Sequence, residues 1–295
     1  MRYARIGIFD SGVGGLTVAR AMADTMPGAH LIYFGDTARM PYGDRPPDQI
    51  ARFMREIITF LLGQRVDAVV VACNTSSALA LPAMQGEFDV PIVGMIECGA
   101  VAAVGASRTG RIGVIATANT VRSGAYGKAI ASLRPGAHVV QQACPSLVPM
   151  IERGEVSGEG VRRALRDYMQ PLLAAGVDSI VYGCTHYPFL DAEVRAVVGP
   201  SVALVDPAIR VARAVKSAVL ARDPSLSGEP EALPTPPRFL TSGEPEVFAR
   251  LARLLLGWDP GRVEQVSMDT RGGLTCELME ELLTSSERFR SRGTT

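Results

Sequence analysis

Apolar residues along this chain fall into two kinds of stretch: short, nearly unbroken runs, and longer segments where they recur every three or four positions. Runs of the first kind predict strands covered on both faces, and segments of the second predict helices with one buried face. Runs at 6–9 and 30–34, the run leading to Cys73, and a run at 91–95 predict four strands. Helical patterns at 16–26, at 47–64 and from the Cys73 run to about 87 lie between them, the first stopped by Pro27-Gly28. From residue 112 the same order restarts. Strands are predicted at 112–115 and 138–142, at the run leading to Cys184, and at 203–205, with helices at 121–133 and 158–175. The stretch 143–152 reads as a loop.

Two of these runs are near copies. VDAVVVAC, ending at Cys73, and VDSIVYGC, ending at Cys184, share V-D-x-x-V-x-x-C, and the strands before them keep step within a few residues. Strands alternating with helices, twice over, predict an α/β protein of two doubly wound parallel-sheet domains. A pseudo-two-fold relation would place the active site in the cleft between them. The first domain is expected from residues 1–97 with 208–268 and the second from 98–207. Within the returning segment, a helix at 208–220 is followed by a Pro- and Ser-rich linker at 223–237. Strands at 238–241 and 262–267 then flank an amphipathic helix at 244–256. A C-terminal extension, 269–295, is expected to hold one short helix and a disordered polar end.

Composition narrows the function classes. Thirty basic and thirty acidic residues in 295 cancel, so no global charge marks a nucleic-acid or membrane partner. Five scattered cysteines, at 73, 98, 144, 184 and 276, do not form a disulfide framework and suit a reducing, cytoplasmic compartment. Asp10 stands where a secretion signal needs its apolar region, and no apolar stretch reaches spanning length. The turn at 10–15, DSGVGG, is not a dinucleotide fingerprint, because Thr17 occupies the place of the third glycine. A phosphate cradle is also disfavoured, since Asp10 would face the anion and no lysine follows.

The chemistry sits at the strand ends, where open α/β sheets collect their ligands. A single buried cysteine more often serves as a small apolar residue. Two thiols at equivalent ends of repeated strands would instead meet in one cleft. A disulfide needs Cα atoms within about 7 Å and an oxidising compartment. Zinc would draw on Cys73, Cys184, His186 and Asp10, but Cys-x-His is a poor zinc spacing and no C-x-x-C accompanies it. The third alternative is acid–base catalysis on both faces of one carbon, with one cysteine as thiolate and the other as thiol. Asp10 is placed to reach the Cys73 side and His186 the Cys184 side, where each would tune its thiol. Cys98, Cys144 and Cys276 have no counterpart in the repeat and read as structural.

Four separated motifs carry a family resemblance. Asp10 to Gly15, Asp36-Thr37-Ala38-Arg39 with Pro41-Tyr42-Gly43, Ala72-Cys73-Asn74-Thr75, and Gly183-Cys184-Thr185-His186-Tyr187-Pro188 together resemble the signature set of glutamate racemases. The resemblance runs from about residue 6 to 268. It implies interconversion of L- and D-glutamate without cofactor or metal, supplying D-glutamate for peptidoglycan. Cys73 would then act on D-glutamate and Cys184 on L-glutamate, with Asp10 and His186 assisting. Substrate contacts carried over are Asp10, Ser11, Tyr42, Gly43, Asn74, Thr75, Thr185 and His186. Thr117, Thr120 and Glu152 stand at matching places in the second half and, by the same resemblance, would be further family contacts. The resemblance suits a cytoplasmic homodimer with no membrane or nucleic-acid partner. Some glutamate racemases also bind DNA gyrase, a side role of which this sequence gives no sign. Racemases of aspartate or hydantoins share the paired cysteines; the Pro41-Tyr42-Gly43 loop and Cys184-Thr185-His186 favour glutamate.

Overall fold

The computed structural model describes residues 3–227, 236–268 and 274–276. The strands are β1 (Arg5–Asp10), β2 (His30–Gly35), β3 (Ala68–Val71), β4 (Ile92–Gly94), β5 (Arg111–Ala116), β6 (His138–Ala143), β7 (Ser179–Gly183), β8 (Ala203–Val205), β9 (Arg238–Thr241), β10 (Val263–Met268) and β11 (Leu274–Cys276). They form a seven-stranded sheet, β11-β10-β9-β2-β1-β3-β4, and a four-stranded sheet, β6-β5-β7-β8. Every pairing is parallel except that of β10 with β11. This is the two-domain α/β architecture expected from the alternation.

The internal repeat extends to the register. Arg5 pairs with His30 as Arg111 pairs with His138, and Ile6 pairs with Ala68 as Ile112 pairs with Ser179. Below the strands the Asp67 N–H donates to the Arg5 carbonyl at 2.7 Å, and the Asp178 N–H donates to the Arg111 carbonyl at 2.9 Å. These are the acids of the repeated V-D. Asp67 also accepts the Arg5 N–H at 2.8 Å, while Asp178 accepts the Ser107 hydroxyl and the N–H groups of Arg108 and Thr109. Both close the entry of a strand whose exit carries the cysteine, so the two halves of the motif act at opposite ends.

Among the described residues eleven α-helices pack on these sheets: α1 (Leu16–Thr25), α2 (Pro47–Gly63), α3 (Asn74–Leu79), α4 (Met95–Ala106), α5 (Ala118–Ser123), α6 (Ala125–Leu133), α7 (Leu147–Glu152), α8 (Glu159–Ala174), α9 (Asp191–Val198), α10 (Ala208–Arg222) and α11 (Pro245–Leu256). Strand alternation sends Ile6, Ile8 and Val70 to one face of the first sheet, against α1 and α10. Phe9, Val69 and Val71 face the other way, against α2. In the second sheet Ile112 and Val114 meet α4 and α6, and Ile115 and Ile180 meet α8. Glycines in the two central strands let a helix approach: a Cβ on Gly7 would lie 3.2 Å from Leu61, and one on Gly113 would lie 2.5 Å from Leu172.

Several expectations are corrected. The single helix at 121–133 is two, α5 and α6, because Gly124 takes a left-handed conformation at φ 64°. The stretch 143–152 holds α7, whose Pro149 is tolerated in the first turn, where its missing N–H has no intrahelical partner. Helix α4 was not anticipated at all. Met95 and Cys98 join the core of the first domain while Ile96, Ala100 and Ala103 join that of the second, so α4 buries apolar residues on two faces and leaves Glu97 exposed. In the C-terminal extension 274–276 is a strand; the short helix and disordered end expected there fall outside the described residues, as does 228–235 of the linker. No helix among the described residues is long and apolar enough to cross a membrane.

Candidate active site

The exits of β1, β3, β5 and β7 open onto one cleft between the two sheets, with a volume of about 90 Å³. Sites for drug-sized ligands run to roughly 300–1,000 Å³, so this one suits a small metabolite. Asp10 and Ser11 enter it from β1, and Cys73, Asn74 and Thr75 from β3. Thr117 enters from β5 and Cys184, Thr185 and His186 from β7, while Tyr42 and Gly43 come from the loop after β2. Both thiols expected from sequence therefore face the same space, 4% and 7% exposed.

Cys73 lies two residues past β3 at the N-cap of α3, and its Sγ lies 3.8 Å from the Ser11 Oγ. Burial and the charge of Asp10 push its thiol up to about 11, against the opposing pull of the Ser76 hydroxyl and N–H. Asp10 thus acts on Cys73 in the opposite sense to a group that holds a thiolate. Its own carboxyl is raised by burial, although His186 and the N–H groups of Gly12 and Gly15 oppose that. Those N–H groups donate to Oδ2 at 3.3 and 2.9 Å, and the Thr185 hydroxyl reaches the same carboxylate from the second domain at 3.3 Å. Glycine is required here: a Cβ on Gly14 would stand 2.5 Å from both His186 Nδ1 and Thr185 Oγ1.

Cys184 has a different neighbour. Its Sγ is 3.8 Å from His186 Nδ1, and His186 Nε2 lies 2.6 Å from Glu152 Oε1. Burial alone would lower the imidazole pKa; the contacts with Cys184 and Glu152 outweigh it and hold His186 well above the usual value. The pocket of His186 thus favours its charged form next to Cys184.

Not every carried-over contact reaches the cavity. Thr120 is fully buried behind it, its hydroxyl bonded to Thr117 at 3.0 Å and Thr75 at 3.3 Å. Glu152 stands behind His186 rather than in the cleft. The Tyr42 hydroxyl donates to Asp36, which also accepts from Arg39 and Ser242, so what Tyr42 can offer a ligand is its main chain. Asn74 is oriented by the Tyr126 hydroxyl, which donates to Oδ1 at 2.8 Å; its Nδ2 is buried and has no partner.

Other residues were missed from sequence. Cys144 lines the cleft as a third thiol, with Pro145, Val148 and Pro149 as an apolar wall. Its N–H bonds the Ala116 carbonyl as the Asp36 N–H bonds that of Asp10, so the repeat equates Cys144 with Asp36 and not with either catalytic candidate. Burial and the charge of Cys184 push its thiol far up. Ser76 went unnoticed because its signal, three residues past a capping cysteine, emerges only once α3 is known to begin there. Among the described residues no group of three or more His, Cys, Asp or Glu is placed to hold a metal.

The profile of the Asp/Glu/Hydantoin racemase family matches residues 16–215. A glutamate racemase from Desulforudis audaxviator is 43% identical over 273 residues, covering 91% of this chain and 99% of that protein. Among solved structures, a glutamate racemase from Bacillus anthracis superposes with a TM-score of 0.84 at 33% identity, over 90% of this chain and 98% of that one. The glutamate racemase from Francisella tularensis, solved in complex with D-glutamate, gives 0.81 at 31% identity, again over 90% and 98%. With a matching profile, relatives aligned along nearly their whole length, and a shared two-domain architecture, the chain belongs to the Asp/Glu/Hydantoin racemase family of isomerases and groups with its glutamate racemases.

Proposed function

We propose that this protein interconverts L- and D-glutamate by proton transfer between two cysteines, without a cofactor. The observation that carries this is the delivery of Cys73 and Cys184, by strands of the same register, into one enclosed cleft. In the D-to-L direction the Cys73 thiolate takes the α-proton and the Cys184 thiol gives its proton to the opposite face. The enzyme is left with Cys73 as thiol and Cys184 as thiolate, ready for the reverse turn. Placing D-glutamate at Cys73 follows the family resemblance.

The remaining groups suit an amino acid. A carboxylate would satisfy the orphaned Asn74 Nδ2, and the hydroxyls of Ser11, Thr75 and Thr185 can hold the other polar atoms. The ammonium belongs at Asp10. Burial is the main influence raising the Cys73 thiol and the charge of Asp10 adds to it; pairing there would cancel the second, so binding itself would favour the thiolate. His186, whose charged form is favoured by its contacts with Cys184 and Glu152, can supply positive charge to Cys184. This reading places the enzyme in the cytoplasm, where D-glutamate is needed as a peptidoglycan precursor.

The test is incubation of purified protein with either enantiomer in D₂O, with no cofactor added. Expected are exchange of the α-hydrogen and drift of the optical rotation to zero from both sides. Absence of both outcomes, or a requirement for pyridoxal phosphate, would overturn the proposal.

A further inference from the structure

Substrate must enter a cleft whose thiols are nearly fully buried, so contacts across its edge have to open and re-form. One residue makes a dense set of them. Asn119, in the first turn of α5, is 7% exposed and does not itself line the cavity. Its Nδ2 donates to the Tyr42 carbonyl at 3.2 Å and to the Arg45 carbonyl at 2.9 Å. Its backbone N–H donates to the Gly43 carbonyl at 3.3 Å. Its Oδ1 accepts from Arg122 Nη2 at 2.5 Å, which fixes which side of the amide faces the loop. Asn119 belongs to the second domain, and the three carbonyls belong to the loop after β2 of the first.

In a trans peptide the N–H points opposite to the preceding carbonyl. Pinning the carbonyls of Tyr42 and Gly43 therefore sets the direction of the Gly43 and Asp44 N–H groups, and both residues line the cleft. The same loop is pressed against α5, since a Cβ on Gly43 would lie 3.4 Å from the Thr117 Cβ. We propose that Asn119 is a positioning residue: it latches the 42–45 loop of the first domain to α5 of the second, and so holds the cleft closed with the loop N–H groups aligned on the ligand. The ligand's identity as glutamate rests on the function proposed above; the latch itself does not.

The test compares the full-length parent with Asn119→Ala and Arg122→Ala, the latter an exposed side chain. Without ligand, each protein is treated with iodoacetamide, and the Cys73 and Cys184 peptides are followed by mass spectrometry. Loss of the two amide hydrogen bonds is expected to speed alkylation of both thiols about tenfold in Asn119→Ala, with a smaller change in Arg122→Ala. For racemisation, KM should rise by about the same factor while kcat stays within about threefold, because no reacting group is removed. Alkylation at the parent rate in folded Asn119→Ala, or a fall in kcat with KM unchanged, would overturn the latch. Should Asn119→Ala show no thermal unfolding transition, Arg122→Ala decides: faster alkylation supports the latch and the parent rate refutes it. A parent that does not racemise glutamate, yet whose variants alkylate faster, would sink the substrate and leave the latch standing.

Discussion

The two halves of the molecule share strand order, register and the position of one cysteine, yet the two thiols live in different surroundings. Cys73 has a buried carboxylate, Asp10, that disfavours its charge, and a helix start with Ser76 that favours it. Cys184 has a buried histidine, His186, braced by Glu152 with its charged form favoured, and is followed by a 3₁₀ turn rather than an α-helix. The repeat even changes chemistry at matching places: Asp10 aligns with Ala116, and Asp36 with Cys144. A duplicated scaffold therefore fixes where two thiols stand, and the charged groups set beside them differ. For a reaction whose substrate and product are mirror images, only the placement has to be symmetric.

The largest expected effect tests the placement. Cys73→Ala and Cys184→Ala should each lower racemisation by roughly a thousandfold, because in the proposed mechanism each carries the proton on its own face. Cys144→Ala is the control within the same cleft. It should stay within about threefold, since its thiol remains protonated and its place in the repeat is that of Asp36. Comparable losses at Cys144 and Cys184, measured by polarimetry, would break the distinction. Next comes the surrounding of Cys184. Glu152→Gln removes a partner that raises the His186 pKa, and kcat should fall about thirtyfold. The sign in pH is definite. A raised imidazole pKa keeps His186 charged through neutral pH and loses that charge only as pH climbs through it. In the variant the loss comes earlier, so the alkaline limb of kcat/KM should move to lower pH. A limb that stays in place would remove Glu152 from the mechanism.

Much of this was legible in the sequence, and what was not has identifiable causes. The repeated V-D-x-x-V-x-x-C disclosed both strands and both thiols, because a strand covered on both faces writes an unbroken apolar run. Asp10 and His186 lie within a few residues of strand ends and could be placed from order alone. Helix α4 could not, because packing against two cores erases the one-sided periodicity by which a helix is recognised. The split between α5 and α6 depends on the backbone angle of Gly124, which no pattern of side chains encodes. Glu152 came only through family resemblance, since its contact with His186 spans 34 positions. Asn119 sat unremarked within the repeated turn after β5: its partners are carbonyls of the other domain, and backbone acceptors leave no trace in residue identity.

The smaller effects separate the two influences on Cys73. Asp10→Asn removes the charge that helps raise its thiol to about 11, so in ligand-free enzyme Cys73 should be alkylated about tenfold faster at mildly alkaline pH. Racemisation should nevertheless fall, because the ammonium loses its counter-charge. Slower alkylation would reverse the assigned sign. Ser76→Ala probes the opposing influence and should give the smallest change. The Ser76 hydroxyl is fully buried three residues beyond the cysteine at the N-cap of α3, where it favours the thiolate. Removing it should slow Cys73 alkylation about threefold and leave Cys184 unchanged, a loss on the scale of one weak hydrogen bond to a charged group. The backbone N–H of Ser76 remains in the variant, which is why the effect stays small. Equal slowing at both cysteines would mean that the substitution alters access to the cleft rather than the charge on one sulfur, and Ser76 would then belong to the symmetric scaffold rather than to what distinguishes its halves.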